Sequence, residues 1–186
     1  MEAGKFSDSC RLRFVCIVRV YIMTPFVPLE NVESVTPIIS AISLVGGFSD
    51  EQRDALFARL DYAKFQKGEC IFRKGEEPTH IYIVKSGKAE IRISDGEAVV
   101  DKEELGVGEC FGEVSLMSMH KHTATILVTE DCEIVALSRH ALIQLKKQDI
   151  TLFALLMMNI ARELARRVIL TDNLCLLLNS GNAKPD

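Results

Sequence analysis

The chain has 186 residues, 48% hydrophobic and 26% charged, with a formal net charge of -4 at pH 7. That length supports one domain with a proper hydrophobic core plus some helical extension, and excludes two large domains. The acidic balance, with no basic face along the chain, excludes a general nucleic-acid binder.

Six cysteines (Cys10, Cys16, Cys70, Cys110, Cys132, Cys175) occur without a C-x-x-C pair, so neither a zinc site nor a disulfide framework is indicated. Reduced thiols in a cytoplasm fit best. His120 and His122 form an H-x-H, a pattern able to ligate a metal, but no further ligand pattern completes a set; neither a metal nor a cofactor is expected.

In chain order, "RLRFVCIVRVYIM" is apolar and basic, yet Arg19 interrupts it and it falls well short of the about 20 apolar residues of a membrane span. No small-residue cleavage site follows, so it is neither a span nor a signal peptide. Residues 1–27 read as an N-terminal extension; its first 22 residues precede a restart at Met23-Thr24-Pro25 and are expected to be poorly ordered or loosely docked. From Pro28 to Leu44 the positions Val32, Val35, Ile38, Ile39 and Ile42 predict a helical lead-in broken near Pro37 and ended by Gly46-Gly47. Ser49 with Gln52 three residues on is a capping box, opening a short helix through Leu60.

Residues 62–137 alternate in short apolar runs, with turns expected at Gly68, Gly75, Gly87 and Asp95-Gly96 and with Ala89, Ile91 and Ile93 on one face. "TATILVTED" and "CEIVALS" add two more runs. Many short strands at roughly ten-residue spacing predict a small antiparallel sandwich or barrel, spanning residues 28–148 with its lead-in. "RHALIQLKK" reads as a short helix, and Asp149 caps a longer one from Ile150 to about Leu178, within a segment 149–180 followed by a tail 181–186. Along that helix Phe153, Met157, Ile160, Leu164, Val168, Cys175 and Leu178 trace a stripe interrupted by Thr171 and widened by Leu156, Leu170, Leu174, Leu176 and Leu177. Such a helix either packs wholly in its own core or continues into a partner subunit; the width of the stripe favours a parallel homodimer, which Leu164→Glu is expected to dissociate.

The stretch 111–126, "FGEVSLMSMHKHTATI", reads as a turn, a short helix over 113–118 and a strand. With the glycine-punctuated strands before it and two helices after it, the chain over about residues 45–178 resembles the cyclic-nucleotide-binding domain family, in its catabolite-activator-like branch. Gly68, Gly75, Gly87, Gly108 and Gly112-Glu113 fall at the spacings of that family's turns, and "IYIVKSGKAEI" is similar to its central hairpin. The resemblance implies an α+β fold: an antiparallel β-barrel or jelly roll flanked by an N-terminal helical segment and C-terminal helices. It also implies a regulatory module that is not an enzyme, with cAMP or cGMP as the ligand and 111–126 as its phosphate-binding cassette.

On that resemblance, Phe111, Gly112, Glu113, Val114 and Ser115 form the first half of the ligand site, with Glu113 accepting from the ribose 2′-hydroxyl. Thr123, Ala124 and Thr125 finish the phosphate cradle, and Thr171-Asp172 stands where a polar pair of the long helix meets the purine. Thr171 bonding back to its own helix, with Asp172 facing water, is the other reading of that pair. Two positions depart from the family. His122 stands in place of its arginine, so the phosphate loses a fixed counter-charge, and binding is expected to be weak at pH 7 and to strengthen on acidification. Met119 stands in place of a glycine, and the cassette tip is therefore expected to take a different path. A second functional reading follows from the same departures: a degenerate module without ligand that serves as an interaction or dimerisation unit, with an effector protein as partner. Only "NSGNAKPD" follows the long helix, so no DNA contact is expected from this chain.

Overall fold

The computed structural model describes residues 26–95 and 98–180. The expectations for residues 1–25, for Gly96 and for the 181–186 tail lie outside the described residues. Seven strands form one antiparallel sheet: β1 (Val27–Pro28), β2 (Asp61–Phe65), β3 (Cys70–Phe72), β4 (His80–Asp95), β5 (Ala98–Leu105), β6 (Cys110–Phe111) and β7 (Thr125–Ser138). Pairing runs β1-β2-β7-β4-β5, with β3 added to β7 and β6 to β4. β1 and β5 end this path without pairing to each other among the described residues, so the expected barrel is an open jelly-roll sheet.

The helices are α1 (Asp50–Phe57), α2 (Glu113–Ser118), α3 (Arg139–Gln148) and α4 (Ile150–Ser180). The Ser49 capping box forms as its spacing predicts, with the hydroxyl accepting from Gln52 N and the Gln52 side chain accepting from Ser49 N. Five sequence expectations are corrected. The fold begins before Pro28, because Val27 and Pro28 pair with Tyr62 and Asp61. The lead-in is 3-10 rather than α-helical, over Val32–Ala41 and Ser43–Val45, and α1 ends at Phe57 rather than Leu60. The two runs around residue 131 are one 14-residue strand, β7. Gly87 is no turn: it lies inside the 16-residue β4, where the register to β7 shifts between Ser86 and Lys88. A Cβ there would meet Asp131 O at 2.1 Å, so glycine is required by close backbone approach within a bulge.

The strand period of two sorts the sheet into two apolar layers. On β4, Ile81 and Ile83 pack against the helices while Tyr82 and Val84 face the inner cluster; on β7, Val135 and Leu137 divide from Ile134 and Ala136 in the same way. Burial of both faces explains why these strands read as continuous apolar runs. The helical layer includes Leu152, Leu156 and Ile160 of α4, and Asn159 ties α4 to the lead-in by donating to the carbonyls of Leu44 and Gly46, each at 2.9 Å. Phe153, Met157 and Leu164 of the predicted stripe pack on this same layer. Past Arg167 the helix leaves its own domain, and Val168, Ile169, Leu170 and Leu176 are 59–67% exposed. No helix among the described residues is long and apolar enough to cross a membrane.

Candidate functional site

The cassette is set by the end of β6. Phe111 pairs with Tyr82 on β4, and Gly112 then turns the chain with φ +83. Glycine is demanded twice here, by the left-handed backbone and because a Cβ would lie 2.8 Å from the Tyr82 ring. α2 follows over Glu113–Ser118, the span read from the sequence, with first-turn N–H groups that lack intrahelical partners. Met119 closes it at φ 55, ψ 32. Methionine here adopts the left-handed conformation that glycine favours, with its side chain 83% exposed.

Glu113 is fully buried. Its Oε1 accepts from Arg167 Nη1 at 2.7 Å, while Arg167 Nη2 donates to the carbonyl of Cys110 at 2.7 Å, so one guanidinium of α4 ties down both sides of the Gly112 turn. Burial pushes the Glu113 carboxyl above its ordinary range, and the Arg167 charge opposes that rise. The Oε2 atom is buried with no well-formed hydrogen bond, although the Cys110 thiol and the Glu113 backbone N–H lie close enough to the carboxyl to favour its charged form.

His122 is 3% exposed, and its ring stacks on Phe72 of β3 with centroids 3.6 Å apart and planes 10° from parallel. Its backbone is held on both sides by the β3–β4 turn: Gly75 N donates to His122 O at 2.7 Å, and His122 N to Glu76 O at 2.9 Å. Burial lowers the imidazole pKa below 6.5, with the nearby Glu76 charge partly opposing, so the ring is neutral at pH 7. Its Nε2 atom is buried without a partner.

Two buried polar side chains, each with an unpaired atom, thus flank the turn, the helix and the strand of one cassette. Residues 62–149 match the family model described as cyclic nucleotide-binding domain. The chain carries a cyclic nucleotide-binding domain. It is 34% identical over 110 residues to a cAMP-dependent protein kinase regulatory subunit of Yarrowia lipolytica, covering 59% of this chain and 28% of that protein. It is 32% identical to the cyclic AMP receptor protein of Thermus thermophilus, covering 67% of this chain and 56% of that protein. Among solved structures, the Thermus thermophilus catabolite activator protein is similar with a TM-score of 0.66 and 30% identity, over 74% of this chain and 63% of that one. The chain therefore spans less than two thirds of each of these relatives.

Within the cyclic nucleotide-binding domain, the structure buries Phe111, Glu113, Ser115 and His122 of the cassette, while Gly112 is half-buried and Val114 is 47% exposed. Thr123 is exposed, Ala124 and Thr125 are half-buried, and Thr125 Oγ1 accepts from Lys74 N at 3.1 Å. Thr171 and Asp172 are both exposed on α4; the Thr171 hydroxyl donates to Arg167 O at 2.9 Å, the back-bonded arrangement of the second reading.

Arg167 was missed by sequence reasoning, although a signal existed. It follows Ile160 and Leu164 at helical spacing, and a cation in line with an apolar stripe calls for a buried partner. Phe72 was missed as well, and a lone aromatic in a short strand carries no signal for its contact with His122.

Proposed function

We propose that this domain is a regulatory module that binds cAMP or cGMP at the 111–125 cassette, weakly at neutral pH. The observation that carries the reading is the pair of buried, unpartnered atoms, Glu113 Oε2 and His122 Nε2, because buried polar groups left unpaired are costly unless a ligand completes them. Glu113 accepts from the ribose hydroxyl, α2 turns its first N–H groups to the phosphate, and His122 with Thr123, Ala124 and Thr125 lines the remainder. Similarity to a kinase regulatory subunit and to a receptor, both named for cAMP, supports the same assignment.

The fixed cation is lacking, and the His122 pKa is already lowered by burial. If the phosphate binds the protonated ring, the complex takes up a proton, so affinity rises as pH falls and levels off only below the free-state pKa, which lies under 6.5. Calorimetry with cAMP and cGMP at pH 6 and pH 8 tests this. His122→Arg should tighten binding by about 30-fold or more, the scale of about 2–5 kcal/mol for a desolvated charge pair, and flatten the pH dependence. Silence of both proteins at millimolar nucleotide would leave the second reading, an interaction module.

For either role we propose a parallel homodimer, but through a different face of α4 than the apolar stripe indicated. Leu164 packs on its own core, so Leu164→Glu tests folding rather than association. Ala154, Met158, Ala161, Ala165, Val168, Asp172 and Cys175 recur at alternating four- and three-residue spacing and are all exposed. Met158→Glu should leave the melting temperature within about 2 °C while lowering the sedimenting mass to one chain, since surface changes away from a core are worth under about 0.5 kcal/mol. A chain that sediments as a monomer at tens of micromolar before any substitution rules the dimer out.

A further inference from the structure

We infer that the strap at the start of the fold, Phe26–Leu29, is coupled to the cassette through a continuous pile of aromatic rings, so that displacing Phe72 from His122 loosens the strap. The coupling rests on the proposed function only for the identity of the ligand, since the pile itself is a feature of the fold.

The rings of Phe72 and His122, 3.6 Å apart, are already at contact distance, so any group that reaches that face of the imidazole must move Phe72. Phe72 lies 5.4 Å from Tyr82 and 6.0 Å from Phe111, and Tyr82 stacks on Phe111 at 5.2 Å and 14°. Tyr82 has no room on the cassette side: its ring sits so close to Gly112 that a methyl group added there would overlap it. The remaining direction is toward Phe26, 5.8 Å away, which also stacks on His80 at 4.9 Å and packs 6.1 Å from Phe65.

Phe26 is the least anchored member of the pile. It is half-buried while Phe72, Tyr82 and Phe111 are buried, and it is held by the two-residue β1 and by Leu29 N donating to Leu60 O at 2.9 Å. Close-packed interiors respond to a shifted ring by a discrete rearrangement at the weakest boundary, which here is the strap. The coupling is reciprocal: a strap that has let go of Tyr82 makes Phe72 easier to displace and favours any group that lies over that face of His122.

Amide hydrogen exchange on the full chain tests this without a ligand. Phe72→Leu should speed exchange at Leu29 N–H by about tenfold, the equivalent of about 1.4 kcal/mol. Val128→Ala, a truncation in the same inner layer but outside the pile, should not reproduce that local effect. In the other direction, Phe26→Ala should speed exchange at His122 N–H. Unchanged exchange at Leu29 in Phe72→Leu, or an equal change in Val128→Ala, overturns the coupling. Because the chain has no tryptophan, Phe26→Trp adds a single emitter, whose emission should shift to the red when Phe72→Leu is combined with it; an unmoved emission counts against the path. cAMP is then added as the probe. Altered exchange at His122 without any at Leu29 overturns the coupling, whereas silence at both, with the response to Phe72→Leu intact, upholds the path and removes only the nucleotide reading.

Discussion

Glu113 and His122 are both buried in the cassette, yet they meet the cost of burial in opposite ways. Glu113 keeps a partner of opposite charge, Arg167, brought from a helix 54 positions further along the chain. His122 stays neutral and uses its flat face on Phe72, leaving Nε2 unsatisfied. The first solution stabilises the fold and orients a carboxylate; the second keeps the ring in place at the expense of a polar atom and of any permanent positive charge. One end of the cassette is thus held by a charge pair, while the other end carries an unsatisfied polar atom.

The largest effect should come from breaking the first solution. Arg167→Ala leaves a buried carboxylate alone, which for fully buried pairs costs about 3–5 kcal/mol; because the Arg167 side chain is partly exposed, about 2–3 kcal/mol is expected here, or roughly 5–10 °C in melting temperature. A loss below about 1 kcal/mol would show that Glu113 is protonated and needs no partner.

The second solution should respond with the opposite sign. His122→Leu removes an unsatisfied atom while keeping an apolar side chain against Phe72, and should stabilise the domain by about 1 kcal/mol in urea denaturation. It should also change the pH dependence. His122 and His80 both have pKa values lowered chiefly by burial, so below about pH 6.5 each of these two groups binds its proton more readily in the unfolded chain than in the folded one. The stability these two rings contribute is then complete above that pH and declines as pH falls through it toward their lowered folded-state values, while Glu113, raised by burial, contributes with the opposite sign in the carboxylate range. His122→Leu should shrink this decline and leave the share of His80; an unaltered profile would mean that His122 is not the titrating group.

The smallest effect is expected at the cassette tip. Met119→Gly relieves a left-handed conformation that costs about 1–2 kcal/mol and gives back part of it through glycine's unfolded-state entropy, for a net gain of about 0.5–1 kcal/mol. A loss of stability would place the methionine side chain in a contact of its own.

The same contrast marks how far the sequence could be read. Local grammar was legible: the Ser49–Gln52 box, the 113–118 helix, the cap at Asp149 and the glycines at the turns all rest on residues within four positions of one another. Readings that needed a tertiary partner were not. Gly87 looks like a turn unless Asp131 is known to press on it, and the apolar stripe of α4 looks like an interface unless the core covering Phe153, Met157 and Leu164 is known. The Glu113–Arg167 pair and the Phe72–His122 stack join residues 54 and 50 positions apart and leave no periodic trace. At Met119 the left-handed backbone won over the residue's own preference, where the Met119 and His120 N–H groups both bond to Ser115 O at the end of α2.

The place of β7 in the sheet also governs when this protein can fold. β2, β3 and β4 each bond to β7, which begins at Thr125, whereas none of those three bonds to another of them. A chain growing from its N-terminus can already pair β2 with β1 and β4 with β5 and β6, but β2, β3 and β4 each keep an unpaired edge until residues 125–138 leave the ribosome. The contacts that then form span from about 35 to about 75 residues, a topology that closes slowly and all together. Until that closure β3 and β4, which flank the turn that His122 bonds to, are not held together by β7, so the cassette is among the last parts of the molecule to take shape.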